Sequence, residues 1–163
     1  MTSILAKLWR LLKLPKNIQL NIMRFTQDLF LVGTTGIVFN DKDEILLFKH
    51  TYRQNQWSLP GGYMKATEHP SEGLEREIEE ESGFIVRIDK EIKIRADRET
   101  ARLDIAYIGA HIGGKFKSGS EVSEARFFSF EDLPIVSKNQ LLMIKEALEM
   151  KAKQHLSPKT NQI

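Results

Sequence analysis

GGYMKATEHPSEGLEREIEEESGF, running from Gly61 to Phe84, is the stretch that governs how this chain folds and what it can bind. Pro60-Gly61-Gly62 interrupts regular structure after Trp57-Ser58-Leu59. A helix begins near Pro70, whose fixed φ suits the first helical position, and Gly83 supplies a residue able to adopt φ > 0 at its end. Phe84 to Ile88 then restarts as a strand. Inside the helix, Glu72 to Glu81 carries six glutamates in ten residues. At about 100° per residue, Glu77, Glu80 and Glu81 share a sector of about 100°, with Leu74 and Ile78 toward one side of it. Glu72, Glu75 and Glu79 fall on the far side and read as a solvated face. Gly73 points into the first sector and would leave room there. Like charges at these spacings cost a helix roughly 0.2–0.5 kcal/mol per pair, and a hard divalent cation would reverse the sign. On helix composition alone two readings stay open, a hydrated acidic face and a cation site.

Outward from this segment, Leu31 to Asn40 is rich in β-branched residues, and Asp41-Lys42-Asp43 turns the chain into Glu44 to Lys49, which reads as a hairpin. Further strands are expected at Glu91 to Ala96, Arg102 to Ile112 and Ala125 to Phe130. Ile135 to Lys153 reads as a closing helix with Leu141, Met143, Ile144 and Leu148 inward. Strands on both sides of a central helix, with a second helix late, place the chain in the α/β class, as an α/β/α layering over a mixed sheet.

Gly62, Glu68, Arg76, Glu77, Ile78, Glu80, Glu81, Gly83 and Phe84 stand at the spacing of the Nudix box: Gly, five residues, Glu, seven residues, then Arg-Glu-aliphatic-any-Glu-Glu-any-Gly-apolar. The chain therefore resembles the Nudix hydrolase family, over roughly Phe30 to Ala152. The resemblance implies a Nudix-like sandwich and hydrolysis of a phosphoanhydride bond in a nucleoside diphosphate derivative or triphosphate. It implies Mg²⁺, with Mn²⁺ as a substitute, held by the Gly61 carbonyl and by Glu77, Glu80 and Glu81. Arg76 would orient those carboxylates, while Gly62 and Glu68 would support the site. Water activation in the family uses a box glutamate or one from a later loop, which leaves Glu77, Glu121 and Glu124 as candidate bases. Ala66-Thr67 and His69 depart from the tight turn and the hydroxyl cap common in the family. These changes bear on loop shape and capping, with His69 read as a loop or cap residue.

Substrate is less legible. The family's signatures outside the box, among them a downstream proline for ADP-ribose, are not evident, since Pro134 is too distant. Lys49, His50, Tyr52, Arg53 and Trp57 are candidate substrate contacts, with Lys49 or Arg53 suited to phosphate. Arg95, Arg98 and Arg102 are weaker candidates on neighbouring strands.

Composition narrows the alternatives. The chain has 163 residues, 41% of them hydrophobic, enough for one catalytic domain with short extensions. We divide it into an N-terminal helical extension (1–29), a hydrolase domain (30–153) and a polar tail (154–163). A net charge of +2 offers no chain-wide basic excess for nucleic acid, which counts against the alternative of an RNA 5′ pyrophosphohydrolase. A catalytically silent nucleotide-binding module is the other alternative, and the intact box argues against it. With no cysteine there is no disulfide or thiolate chemistry. Met1 to Leu14 spaces Ile4, Leu8, Leu11 and Leu12 as one face of an amphipathic helix, interrupted by Lys7, Arg10 and Lys13. It lacks the unbroken apolar run of a leader or a membrane span, so a cytoplasmic location is expected. Its apolar face could cover the domain's own sheet, form a homodimer contact, or lie on a membrane surface.

Overall fold

The computed structural model describes residues 15–52 and 57–156. The segment Met1 to Leu14, Arg53 and residues 157–163 lie outside the described residues. The chain divides into two units, residues 1–30 and 31–163. In the first, helix α1 (Lys16–Thr26) follows Pro15, whose carbonyl accepts the Ile18 and Gln19 N–H groups. It lies within the N-terminal helical extension expected from sequence.

The second unit is a mixed sheet of seven strands: β1 (Leu31–Phe39), β2 (Ile45–His50), β3 (Trp57–Ser58), β4 (Gly61–Tyr63), β5 (Phe84–Asp97), β6 (Arg102–Gly114) and β7 (Val122–Phe128). Helix α2 (Pro70–Ser82) and helix α3 (Lys138–Leu156) flank it. The main path runs β3-β2-β1-β6-β5, with β4 added to β1 and β7 added to β2. The expected hairpin forms, and Asn40 organises its turn by accepting the Lys42 and Glu44 N–H groups on Oδ1. Its strands share only the pair Phe39↔Ile45 and then part. β1 continues alongside β6 in a nine-residue parallel register, while β2 continues alongside β7.

This splaying explains why β2 is apolar on both faces, as expected of a strand covered on two sides. Leu46 and Phe48 join Leu74 and Ile78 of α2 in one core cluster. Ile45 and Leu47 join Ile144 and Ala147 of α3 in the other. The closing helix thus buries Ile144 and Ala147 fully, with Met143 and Leu148 packed less deeply against them.

Four boundaries differ from the sequence reading. Phe84 to Ile88 and Glu91 to Ala96 are one strand, because register shifts near Val86, Lys90 and Lys93 absorb the breaks in alternation. Gly61–Tyr63 is not merely a break but a short strand, paired Thr35↔Gly61, Thr34↔Gly62 and Gly33↔Tyr63 with β1. β7 starts at Val122 and ends at Phe128, two residues short of Phe130. The last helix begins at Lys138, where Ser137 Oγ accepts the Gln140 N–H, and continues into the segment assigned to the tail as far as Leu156.

Candidate active site

Helix α2 is fixed at both ends and along one edge. His69 is its N-cap: its imidazole Nδ1 accepts from Ser71 N–H, and Glu72 Oε2 accepts from His69 N–H at 2.9 Å. Gly83 closes it at φ 73°, donating its N–H to Glu79 O. Leu74 and Ile78 are fully buried and set the rotation of the helix on the sheet. That rotation points Glu77 and Glu81, one turn apart, into an open cleft of about 520 Å³ whose opposite wall is Gly61 and Gly62. The approach is close. A Cβ on Gly62 would lie 2.6 Å from the Glu77 carboxyl group.

Glu80, placed in the same sector by periodicity, sits at the rim with its side chain about half exposed. Arg76 gathers the acidic groups. Its Nε and Nη2 donate to the two oxygens of Glu68 at 3.0 and 2.9 Å, while Nη1 donates to Glu77 Oε1 at 2.6 Å and Glu80 Oε2 at 3.0 Å. Glu68 Oε1 also accepts the Lys65 N–H. The Arg76 guanidinium, then the Lys65 amide, hold the Glu68 carboxyl down at about 2. The same partnership, led by Glu68, raises Arg76 further above its ordinary value.

Two features read from the helix wheel change. Gly73 makes room for Glu68, not for an ion: a Cβ there would lie 2.6 Å from Glu68 Oε1. Glu75 is not simply solvated, since its Oε1 accepts the Ile88 N–H at 2.7 Å where the register of β5 shifts.

The other sequence candidates separate cleanly. Glu121 lines the cleft with Glu77 and Glu81. Glu124, three residues on, pairs with Lys49 at 2.6 Å and with Arg126, and these cations hold its carboxyl below the usual range, Lys49 first. Lys49 is thereby engaged, and Trp57 packs edge-on against Phe128 at 5.0 Å, as part of the α3-side core. Neither lines the cleft, whereas Tyr52 does. His50 is buried beside Phe48 and Tyr52.

Asp104 and Gln140 also line the cleft, and neither was anticipated. Asp104 had a faint signal as a carboxylate inside an otherwise apolar strand. Gln140 had none. Arg102, which joins them there, donates to Asp104 Oδ2 at 2.8 Å.

The donor set of the cleft is entirely oxygen, namely carboxylates and the backbone of a glycine pair, which matches the preference of a hard divalent ion. Among the described residues no three such side chains already converge on one point. Arg76 accounts for this by drawing Glu77 Oε1 and Glu80 Oε2 onto its own Nη1.

The model of the NUDIX domain family matches residues 29–151. The chain belongs to the Nudix family. It is 32% identical over 129 residues to an ADP-ribose pyrophosphatase of Methanocaldococcus jannaschii, covering 74% of each chain. Among solved structures it resembles an ADP-ribose pyrophosphatase from Streptococcus suis 89-1591 (26% identity, TM-score 0.63, 74% of this chain and 92% of that one). It also shares the fold of a Nudix hydrolase from Nitrosomonas europaea (21% identity, TM-score 0.69, 78% and 74%). The sandwich expected from sequence is therefore present, and the chain is a nucleotide pyrophosphohydrolase of the Nudix type. No helix among the described residues is long and apolar enough to cross a membrane.

Proposed function

We propose that this Nudix enzyme hydrolyses the pyrophosphate bond of a nucleoside diphosphate derivative of the ADP-ribose class, using Mg²⁺ held in the cleft between α2 and β4. The observation that carries the reading is that Gly61, Gly62, Glu77, Glu81 and Glu121 line one cleft. The choice of ADP-ribose is supported by the archaeal relative of that name. Glu77, Glu81 and the Gly61 carbonyl would hold the metal, and Glu80 would join them on leaving Arg76. Bound Mg²⁺ would neutralise phosphoryl oxygens and acidify a water molecule.

The chain's own groups divide the remaining work. Arg76, anchored on Glu68 by two parallel hydrogen bonds, sets the position of the glutamates around it. Glu121 accepts the proton of the attacking water. Glu77 is less suited to that role because it already accepts a hydrogen bond from Arg76, and Glu124 because it is tied to Lys49 and Arg126. Arg102, held by Asp104, faces the developing charge on the phosphate that leaves. The water oxygen bonds to one phosphorus, the bridging P–O bond breaks, and the bridging oxygen departs with the second phosphoryl group. Two monophosphates result.

The test is a panel of ADP-ribose, nucleotide sugars, dinucleoside polyphosphates and triphosphates with Mg²⁺ or Mn²⁺. Wild type is compared with Glu81→Gln and Glu80→Gln. ADP-ribose should turn over fastest, and Glu81→Gln should lower kcat about a hundredfold or more. Equal rates for wild type and both variants on every compound would refute the metal-site assignment. A triphosphate as best substrate would refute the ADP-ribose assignment alone.

A further inference from the structure

A second cavity of about 440 Å³ opens next to the acidic cleft, and the two share Thr35, Arg102, Asp104 and Gln140. Its chemistry is opposite. Beyond the shared wall it is lined by Lys93 and Arg95 of β5, and by Ser137 and Asn139 at the start of α3. The antiparallel register sets Arg95 across from Asp104 and Lys93 across from Ala106. Residues two apart on a strand face the same side, so both cations stand on the α3 side of the sheet with Arg102. The charged lining is three cations against one carboxylate, whereas the cleft presents four carboxylates and Arg102 alone.

The three cations are not equally committed. Lys93 pairs with Glu146 at 2.6 Å, and Arg102 pairs with Asp104. Arg95 makes no ion pair or side-chain hydrogen bond among the described residues. Arg95 is exposed on β5 and lines the cavity together with the first turn of a 19-residue helix; its planar donors match a phosphate, and the helix start adds partial positive charge.

We infer that this second cavity binds a phosphate group carried by the substrate in addition to the scissile pyrophosphate, with Arg95 as the specificity-determining contact. The preferred substrate is then a phosphorylated nucleoside diphosphate sugar, not plain ADP-ribose. The inference rests on the adjoining cleft being the hydrolytic site. Arg102, on the shared wall, spans the pyrophosphate and the extra phosphate.

Two measurements on the full chain test it. The first compares kcat/KM for ADP-ribose with that for ADP-ribose bearing a phosphate on the adenosine ribose or on the terminal ribose, in wild type and Arg95→Ala. One of the two phosphorylated compounds should be favoured about tenfold or more, and in Arg95→Ala that ratio should fall toward one. Which compound is favoured tells which end of the substrate enters the cavity. No preference for either, or a preference that survives Arg95→Ala, overturns the inference. The second follows the Arg95 Nε–H and Asn139 side-chain NMR signals during titration with inorganic phosphate, and depends on no turnover. Saturable shifts in wild type that are lost at Asn139 in Arg95→Ala support the phosphate site even if every ADP-ribose compound is refused, in which case only the substrate reading fails. Absence of shifts at phosphate concentrations up to tens of millimolar overturns it.

Discussion

Gly62 and Gly61 are adjacent, yet a methyl group added to each meets different obstacles. At Gly62 the Cβ runs into the Glu77 side chain, which can swing aside. Gly62→Ala should therefore fold with a Tm within a few degrees of wild type while losing at least about tenfold in kcat. At Gly61 the Cβ lies within 2.3 Å of the Thr34 carbonyl oxygen, which is fixed in β1. Gly61→Ala should lower Tm clearly, because the β1–β4 pairing must shift; thermal melts of the two variants side by side check the contrast. Glu68 carries the pH dependence at this scale. Its carboxyl is held at about 2, below the ordinary 4.5, so the stabilisation it contributes is complete above about 4.5 and is lost as pH falls toward 2. Glu68→Gln should flatten the stability profile across that window, read by denaturant melts at successive pH values.

At the scale of elements, the turn into α2 stores a testable strain. Thr67 stands at φ 78°, a left-handed conformation that a β-branched residue adopts at a cost and that glycine adopts freely. Thr67→Gly should stabilise the protein by about 0.5–1 kcal/mol, less the added entropy of the unfolded chain. The His69 cap after it closes a reciprocal pair with Glu72, so the substitution of an imidazole for a hydroxyl preserves the cap's function. The start of β7 separates two glutamates that look alike in sequence, Glu121 just before the strand and Glu124 within it. Glu121→Gln should depress kcat, whereas Glu124→Gln should leave kcat near wild type. A large loss in the second variant and none in the first would reverse the assignment of the base.

For the whole molecule, the sheet is the partition between two cores, and the acidic cleft draws on both helices. Ile144 belongs to the α3-side core, which also lines the second cavity through Ala106. Ile144→Ala should cost about 2–5 kcal/mol. For a chain of this size that corresponds to a fall in Tm of roughly 4–20 °C. The α2-side core that orients Glu77 and Glu81 is separate, so at a temperature where the variant remains folded its kcat should stay close to wild type.

The sequence by itself determined what depends on short spacings. Six glutamates on one helix, the caps at His69 and Gly83, the Asn40 hairpin and the carboxylate sector of Glu77, Glu80 and Glu81 all follow from patterns over a few residues. The box spacing extended that reading to the family, to Arg76 as the residue that orients the helix carboxylates and to Glu68 as a support of the site, whereas the direct Arg76–Glu68 pair came only with the tertiary structure. What only the tertiary structure decided involves partners far apart in the chain. That β5 is one bulged strand depends on its register with β6, and that Glu75 is used depends on where that register places the Ile88 N–H. That Glu121 lines the cleft while Glu124 does not depends on how β7 pairs with β2, which gives Glu124 to Lys49 seventy-five residues away. Asp104 and Gln140 reach the cleft because a parallel β1–β6 pairing and the docking of α3 bring them there. Local spacing carries none of that information, because the same residue serves a cleft or an ion pair according to which strand lies beside it.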